Sequence, residues 1–257
     1  MSFHCLRIAI VVIAIFIAGC SHLDNKRYLV SIYQLENATE NAEEYFKATK
    51  LLLTKNGGVY LKSPIIVEKD LPNAAQPSFT QAAIGNVIFI AEFGDRKSLD
   101  NYVNDPDVIK QMFAIEDIAG DEIIFVAKDF NPMGMMVDSA ALNTFKPREK
   151  PAFLMINDIS MNSLLNPMTS YRVMSYMNSN FPMLEQADVG FIRPLEKIEN
   201  IRGYYDFDVL GLSEWPSEKV FTDFHLNPVF KELAKDTRNK AFSAFTESKA
   251  HSISVED

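Results

Sequence analysis

Nine of the eleven methionines lie between Met133 and Met183, and a run of thioethers is a set of soft metal ligands. Met133, Met135 and Met136 sit together around Gly134, free to wrap an ion, and thioethers bind Cu(I) without help from thiolates. Met155, Met174 and Met177 fall at strand or helix positions, where methionine more commonly serves as a deformable core filler. Harder donors are sparse. His22, His225 and His251 are the histidines beyond the first twenty residues, too few for a histidine-rich metal site. There is no Ser-His-Asp order, no Gly-rich phosphate loop and no paired-histidine spacing. Glu92 and Glu214 each close a β-type apolar run. They could face a cleft as paired carboxylates; residues so placed more commonly cap the next helix or form surface ion pairs. His225 reads as a surface histidine, with a general acid/base role as the alternative.

The N-terminal segment specifies an address. Arg7 precedes an apolar run from Ile8 to Phe16, followed by Ile17-Ala18-Gly19-Cys20 and a polar Ser21-His22-Leu23-Asp24. A basic start, an apolar core of roughly a dozen residues and small residues before a cut site form a secretory signal, whereas a spanning helix needs about 20 apolar residues. Ile-Ala-Gly-Cys resembles the lipobox of bacterial lipoprotein signal peptides. That resemblance implies a leader at 1–19, cleavage before Cys20, acylation (palmitate) of Cys20 and a lipidated tether at 20–26. Ser21 replaces the aspartate that retains such proteins in the inner membrane, which favours the outer membrane facing the periplasm. Cys5 leaves with the leader, so acylation of Cys20 removes the last thiol available for a disulfide or a thiolate metal site. Stability must then come from packing.

The formal charge is -9 and the pI near 5.0. An acidic chain without a Lys/Arg block argues against nucleic acid as a partner and leaves membrane attachment to the acyl anchor. Two passages repeat when the chain is shifted by about 122 positions. Val87-Ile88-Phe89-Ile90-Ala91-Glu92-Phe93 precedes Leu99, Tyr102 and Pro106. Val209-Leu210-Gly211-Leu212-Ser213-Glu214-Trp215 precedes Phe221, Phe224 and Pro228. Each is a strand, a polar turn and a short helix whose aromatics share one face. A repeat this long points to two domain copies rather than a solenoid.

Around each passage the same order of elements is expected. The first half offers a strand at 28–33, a helix at 39–55 with Tyr45, Ala48 and Leu52 on one face, and a strand from 59. The strand at 87–93, a helix at 97–113 and a strand at 122–127 follow. The second offers strands at 153–156, 189–192 and 209–215, helices at 167–178 and around Phe221, and a weak strand at 250–255. That order is βαββαβ twice, an α+β, ferredoxin-like arrangement: a first domain at 27–130, a Pro/Gly-bearing linker at 131–150 and a second domain at 151–257. The irregular stretch 63–85 is long enough to be a lid or a tolerated insertion.

Trp215-Pro216-Ser217-Glu218-Lys219-Val220-Phe221-Thr222-Asp223-Phe224, followed by Val229-Phe230-Lys231, resembles the antibiotic-biosynthesis-monooxygenase superfamily, including its haem-degrading branch. Glu92-Phe93, Asn101-Tyr102 and Asp105-Pro106 look like related small barrel domains. The resemblance implies paired ferredoxin-like domains closing a dimeric α/β barrel, here an intramolecular pseudo-dimer that covers its own sheet edges. In the haem-degrading branch an asparagine, a helix tryptophan and an iron-ligating histidine do the work. Asn157, Phe224 and Ala234 occupy those positions, so haem chemistry loses its ligand and no cofactor is expected. Cofactor-free members need a dry pocket with one or two polar groups, which fits Asn157 opposite Phe224, Tyr171 and Tyr176. It fits any apolar cleft equally. The expected function is an envelope lipoprotein binding a small apolar or aromatic molecule. Asn157, Trp215, Phe224 and Tyr171 are the binding candidates in the second half, with Phe93 and Tyr102 in the first. Cofactor-independent monooxygenase-like turnover, Cu(I) binding and a non-catalytic scaffold stand as alternatives.

Overall fold

The computed structural model describes residues 26–35, 38–68, 86–116, 119–130, 153–162, 166–190 and 192–252. The leader, Cys20, residues 69–85, the 131–150 segment and Met133, Met135 and Met136 lie outside them. The first half runs β1 (Arg27–Leu35), α1 (Ala38–Lys55), β2 (Gly58–Glu68), β3 (Val87–Phe93), α2 (Arg96–Val103), α3 (Pro106–Glu116) and β4 (Ala119–Asp129). The second runs β5 (Phe153–Met161), α4 (Pro167–Gln186), β6 (Ile192–Arg202), β7 (Val209–Trp215), α5 (Glu218–Leu226), α6 (Pro228–Leu233) and β8 (Phe242–Ser252). A π-helical turn, Ala234–Arg238, and the short α7 (Asn239–Ala241) connect α6 to β8. The strands close an antiparallel barrel in the order β1-β3-β2-β8-β5-β7-β6-β4. The chain is therefore α+β, with helices packed outside one large antiparallel sheet. Among the described residues no helix is long and apolar enough to cross a membrane.

Two seams join the halves. β2 meets β8 from Ile65↔Ser252 to Glu68↔Lys249, and β4 meets β6 from Ile124↔Arg202 to Asp129↔Leu195. Closure gives each strand a hydrogen-bonded neighbour on both sides. Period-two alternation sends one set of side chains inward, where Val30, Ile90, Phe125, Ile156, Leu210 and Ala250 belong to one cluster drawn from around the barrel. Tyr205 stacks on Phe125 with centroids 4.4 Å apart. It also donates to the buried Asp158 carboxyl at 2.5 Å, and Thr246 donates to the same carboxyl at 3.1 Å. Burial pushes the Asp158 pKa up to about 6 against the pull of those two hydrogen bonds.

The repeat in the sequence reappears as repeated local chemistry. Asp95 caps α2 by accepting from Ser98 N, and Ser217 caps α5 by accepting from Val220 N. Leu99 and Tyr102 of α2, like Phe221 and Phe224 of α5, form the buried faces. Pro106 and Pro228 each open the following helix, where the missing N–H costs nothing. Pro106 also splits the expected 97–113 helix in two, because the residue before a proline is pushed out of helical conformation.

Other expected elements differ in extent. The buried face of α1 carries Tyr45, Phe46, Thr49 and Leu53, while Ala48 is exposed. β2 continues to Glu68, past Pro64, with its register shifted between Lys62 and Ile65. α4 runs on to Gln186 with Pro182 inside it, because Leu184 still has a core to bury into. Asp188, at φ 54, then turns the chain, so the strand expected at 189–192 begins only at Ile192. β8 replaces the weak strand at 250–255; it hides from pattern reading because Ser243, Thr246, Glu247 and Ser248 interrupt its apolar positions.

Candidate functional site

Outside the barrel, each half lays its helices on its own four strands. Among the described residues, the layer over β1–β4 is a single apolar cluster. The layer over β5–β8 is two clusters, one around Trp215, Phe224 and Phe230 and one around Val173, Phe242 and Phe245. A cavity of about 140 Å3 lies in that layer, lined by members of both.

Its floor has a simple origin. In the first half β1 and β3 pair Ser31 with Phe89; in the second, the corresponding register of β5 and β7 pairs Asn157 with Gly211. Phe89 stacks on Phe46 at 5.2 Å and meets Tyr60 edge-on at 5.1 Å, filling its layer. Gly211 has no side chain to do so; a Cβ placed there would come to 3.3 Å from the Asn157 Cβ. On its other side Asn157 pairs with Glu247 of β8, and its Nδ2 donates to the Thr246 carbonyl at 3.4 Å. The floor thus reads Gly211, Asn157, Glu247 across three neighbouring strands.

The walls are aromatic. Trp215 donates its indole N–H to Ser213 Oγ at 2.9 Å and meets Phe221 and Phe224 edge-on at 5.0 and 5.2 Å. The roof is polar. His225 of α5 places Nδ1 2.9 Å from the Phe221 carbonyl and Nε2 3.3 Å from Glu247 Oε1. With Nδ1 against a carbonyl and Nε2 facing a carboxylate, imidazole and carboxylate form a His–Glu dyad at the roof of the cavity. Tyr176 and Asn180 reach the cavity from α4, and Arg238 from the end of the π-turn.

Asn157, Trp215 and Phe224 are thus together on one cavity, joined by Tyr176. Tyr171 is 64% exposed on the outer face of α4. Phe93 and Tyr102 pack against each other at 5.4 Å inside the filled first layer. His225 is no surface histidine: its side chain is 12% exposed, because the turn of α5 that buries Phe221 and Phe224 swings it against Glu247. Glu92 and Glu214 share the inward strand faces of Ile90 and Leu212, which turns them from the helix layers into the barrel. Glu92 pairs there with Lys26 at 2.5 Å, while Glu214 is fully buried. Sequence reading missed Gly211, Asn180, Arg238 and Glu247. Gly211 had a signal, the Phe-to-Gly exchange within the repeat; Glu247 was hidden with its strand. Ala234, buried at the start of the π-turn, offers no iron ligand, and both nitrogens of His225 are engaged, so these residues do not fit a haem. Met155, Met161 and Met177 line the cavity or its clusters as packing groups.

No family model and no curated protein matches the sequence. Solved structures do match in fold. A candidate monooxygenase from Lactobacillus acidophilus NCFM is 10% identical with a TM-score of 0.52, covering 88% of this chain and 93% of that one. An anthrone oxidase-like protein is 7% identical with a TM-score of 0.55, covering 92% and 96%. A single-residue variant of chlorite dismutase from Candidatus Nitrospira defluvii is 9% identical with a TM-score of 0.54, covering 93% and 95%. At these identities the likeness is one of fold.

Proposed function

We propose that the protein is an envelope lipoprotein, anchored through acylated Cys20, that binds a small apolar or aromatic molecule in the cavity of its second half. Two ferredoxin-like units, 27–130 and 151–257, joined by 131–150, form the barrel as an intramolecular pseudo-dimer. The observation that carries the reading is the substitution of the Asn157–Gly211 pair for Ser31–Phe89, which leaves an aromatic-walled space with a few convergent polar groups. Gly211→Leu fills that space, and calorimetric titration with 2-naphthylmethanol reads the result. Binding to the native chain and loss of at least a hundredfold in the variant are expected; equal binding to both overturns the cavity.

Cofactor-independent oxygenation is the chemistry that the fold likeness to a candidate monooxygenase and an anthrone oxidase-like protein favours. A substrate CH2 gives a proton to the His225–Glu247 dyad. The carbanion forms a C–O bond to O2 and the resulting peroxide takes that proton back; loss of the second C–H proton then breaks the O–O bond, leaving the carbonyl and releasing the other oxygen as water with both hydrogens. Oxygen uptake with anthrone and no added cofactor tests this. Uptake that falls at least tenfold in Glu247→Gln supports turnover; none above buffer leaves binding as the function. Incorporation of alkynyl palmitate that vanishes in Cys20→Ala tests the anchor.

A further inference from the structure

Arg238 is the largest fully buried side chain among the described residues, at 1% exposure. It sits at the end of a π-helical turn, a rare geometry that is frequent at functional sites. The Phe245 and Phe230 rings lie 4.9 and 5.5 Å from its guanidinium carbon. Its Nε donates weakly to Asn239 Oδ1 at 3.4 Å, and its Nη2 has no hydrogen-bond partner. No carboxylate pairs with it among the described residues. A guanidinium cannot escape this by losing its proton, and aromatic faces attract the charge without accepting the in-plane N–H. A buried cation left in that state is a cost to the fold.

A second orphan lies nearby. Asn180, 8% exposed, donates Nδ2 to the Tyr176 hydroxyl at 3.4 Å and leaves Oδ1 without a partner. The Tyr176 hydroxyl stands beside Arg238, whose charge and hydrogen bond both oppose the upward push of burial on its pKa, and Arg238 Nη2 is still left over. Arg238 and Asn180 both line the cavity. Its other titratable groups, His225 and Glu247, face each other at 3.3 Å. One guanidinium nitrogen, Arg238 Nη2, and one acceptor, Asn180 Oδ1, are therefore left vacant in a largely apolar and aromatic space.

Resting on the cavity reading above, we infer that the ligand is an apolar or aromatic acid. Its carboxylate is taken by Arg238, and a hydroxyl or N–H of the same molecule donates to Asn180 Oδ1. The planar fork of arginine matches a carboxylate better than any neutral oxygen.

The test compares 2-naphthoate with 2-naphthylmethanol, which share a ring system and differ in charge, by calorimetric titration of the full chain at pH 7. The acid is expected to bind at least tenfold tighter. Arg238→Met is expected to abolish that preference, to leave the alcohol within about twofold, and to raise the Tm of the unliganded protein. Equal binding of both probes to the native chain overturns the anion assignment and keeps the cavity. Binding of neither overturns the cavity and the assignment with it. A preference that survives in Arg238→Met, with a lowered Tm, overturns the assignment and makes Arg238 structural. Should Arg238→Met fail to fold, Arg238→Lys retains the charge but not the fork. A preference reduced at least threefold then supports the assignment, and an unchanged one overturns it.

Discussion

The helix layer over β1–β4 and the layer over β5–β8 share strand order, register and caps, and they differ in what fills them. In the first, Phe89 reaches up from β3 to stack on Phe46 and meet Tyr60 edge-on, and Tyr33 and Tyr45 complete the aromatic packing. In the second, Gly211 leaves that column empty, and Asn157, Glu247, Asn180 and Arg238 face the vacancy. The barrel interior shows the same split: Ile32 of β1 belongs to the apolar cluster, while its counterpart on β5 is the buried Asp158. One half is packed with apolar and aromatic side chains, and the other holds polar groups around a space.

The largest effect should come from emptying the filled layer. Phe89→Ala removes a ring that is 2% exposed, stacked on Phe46 and edge-on to Tyr60. Truncating a buried phenylalanine costs about 3–5 kcal/mol, so the urea midpoint should fall accordingly. A loss under about 1 kcal/mol would mean that the first layer is as loosely packed as the second, and the contrast between them would collapse.

Asp158 should give the next largest effect. Its pKa in the folded protein is about 6, above the ordinary value of 3.8, so the native state holds this proton when the unfolded chain has released it. Stability from this group is therefore complete below about pH 4, falls as pH rises to about 6, and is flat above. Two pH units correspond to roughly 2–3 kcal/mol. Asp158→Asn should remove that fall while keeping an acceptor for Tyr205. Urea unfolding at pH 4, 5, 6 and 7 measures it, and an unchanged slope in the variant would assign the pH dependence elsewhere.

Much of this contrast was legible in the sequence. The offset repeat identified β3 with β7 and α2 with α5, down to the positions of Leu99, Tyr102, Phe221 and Phe224, because short-range alternation and helical spacing set those faces. Asn157, Trp215 and Phe224 came from resemblance and do share a cavity. What stayed hidden depends on the closed barrel. Arg238 joins the cavity through a π-turn with no sequence signature. Glu247 lies on a strand that is polar because it serves the cavity on one face and the Asp158 network on the other. Phe93 and Tyr102 read like pocket residues, since an aromatic pair looks the same whether its layer is full or empty.

A direct exchange sharpens the comparison with a smaller effect. Asn157→Ser together with Gly211→Phe installs the Ser31–Phe89 pair in the second half. Burying a phenylalanine ring is worth about 1.5–3 kcal/mol, part of which is lost to imperfect fit, so a net gain of about 1–2 kcal/mol is expected. Binding of 2-naphthylmethanol should vanish. A stabilised variant that still binds would place the ligand elsewhere; a strongly destabilised one would show that the two layers differ in shape as well as content.

The smallest effect tests what the halves have in common. Ser217 caps α5 through Val220 N as Asp95 caps α2 through Ser98 N, and loss of such a cap costs about 1 kcal/mol. Ser217→Ala should lower stability by about that amount, and Asp95→Ala should act in the same direction. Their consequences for binding should diverge. α5 carries Phe221, Phe224 and His225 into the cavity wall, so fraying its first turn should weaken ligand by severalfold. α2 lies over the filled layer, where the same fraying has no ligand to disturb. Equal loss of binding in both variants would mean that the layers communicate through the barrel, whose interior packing draws on strands of both.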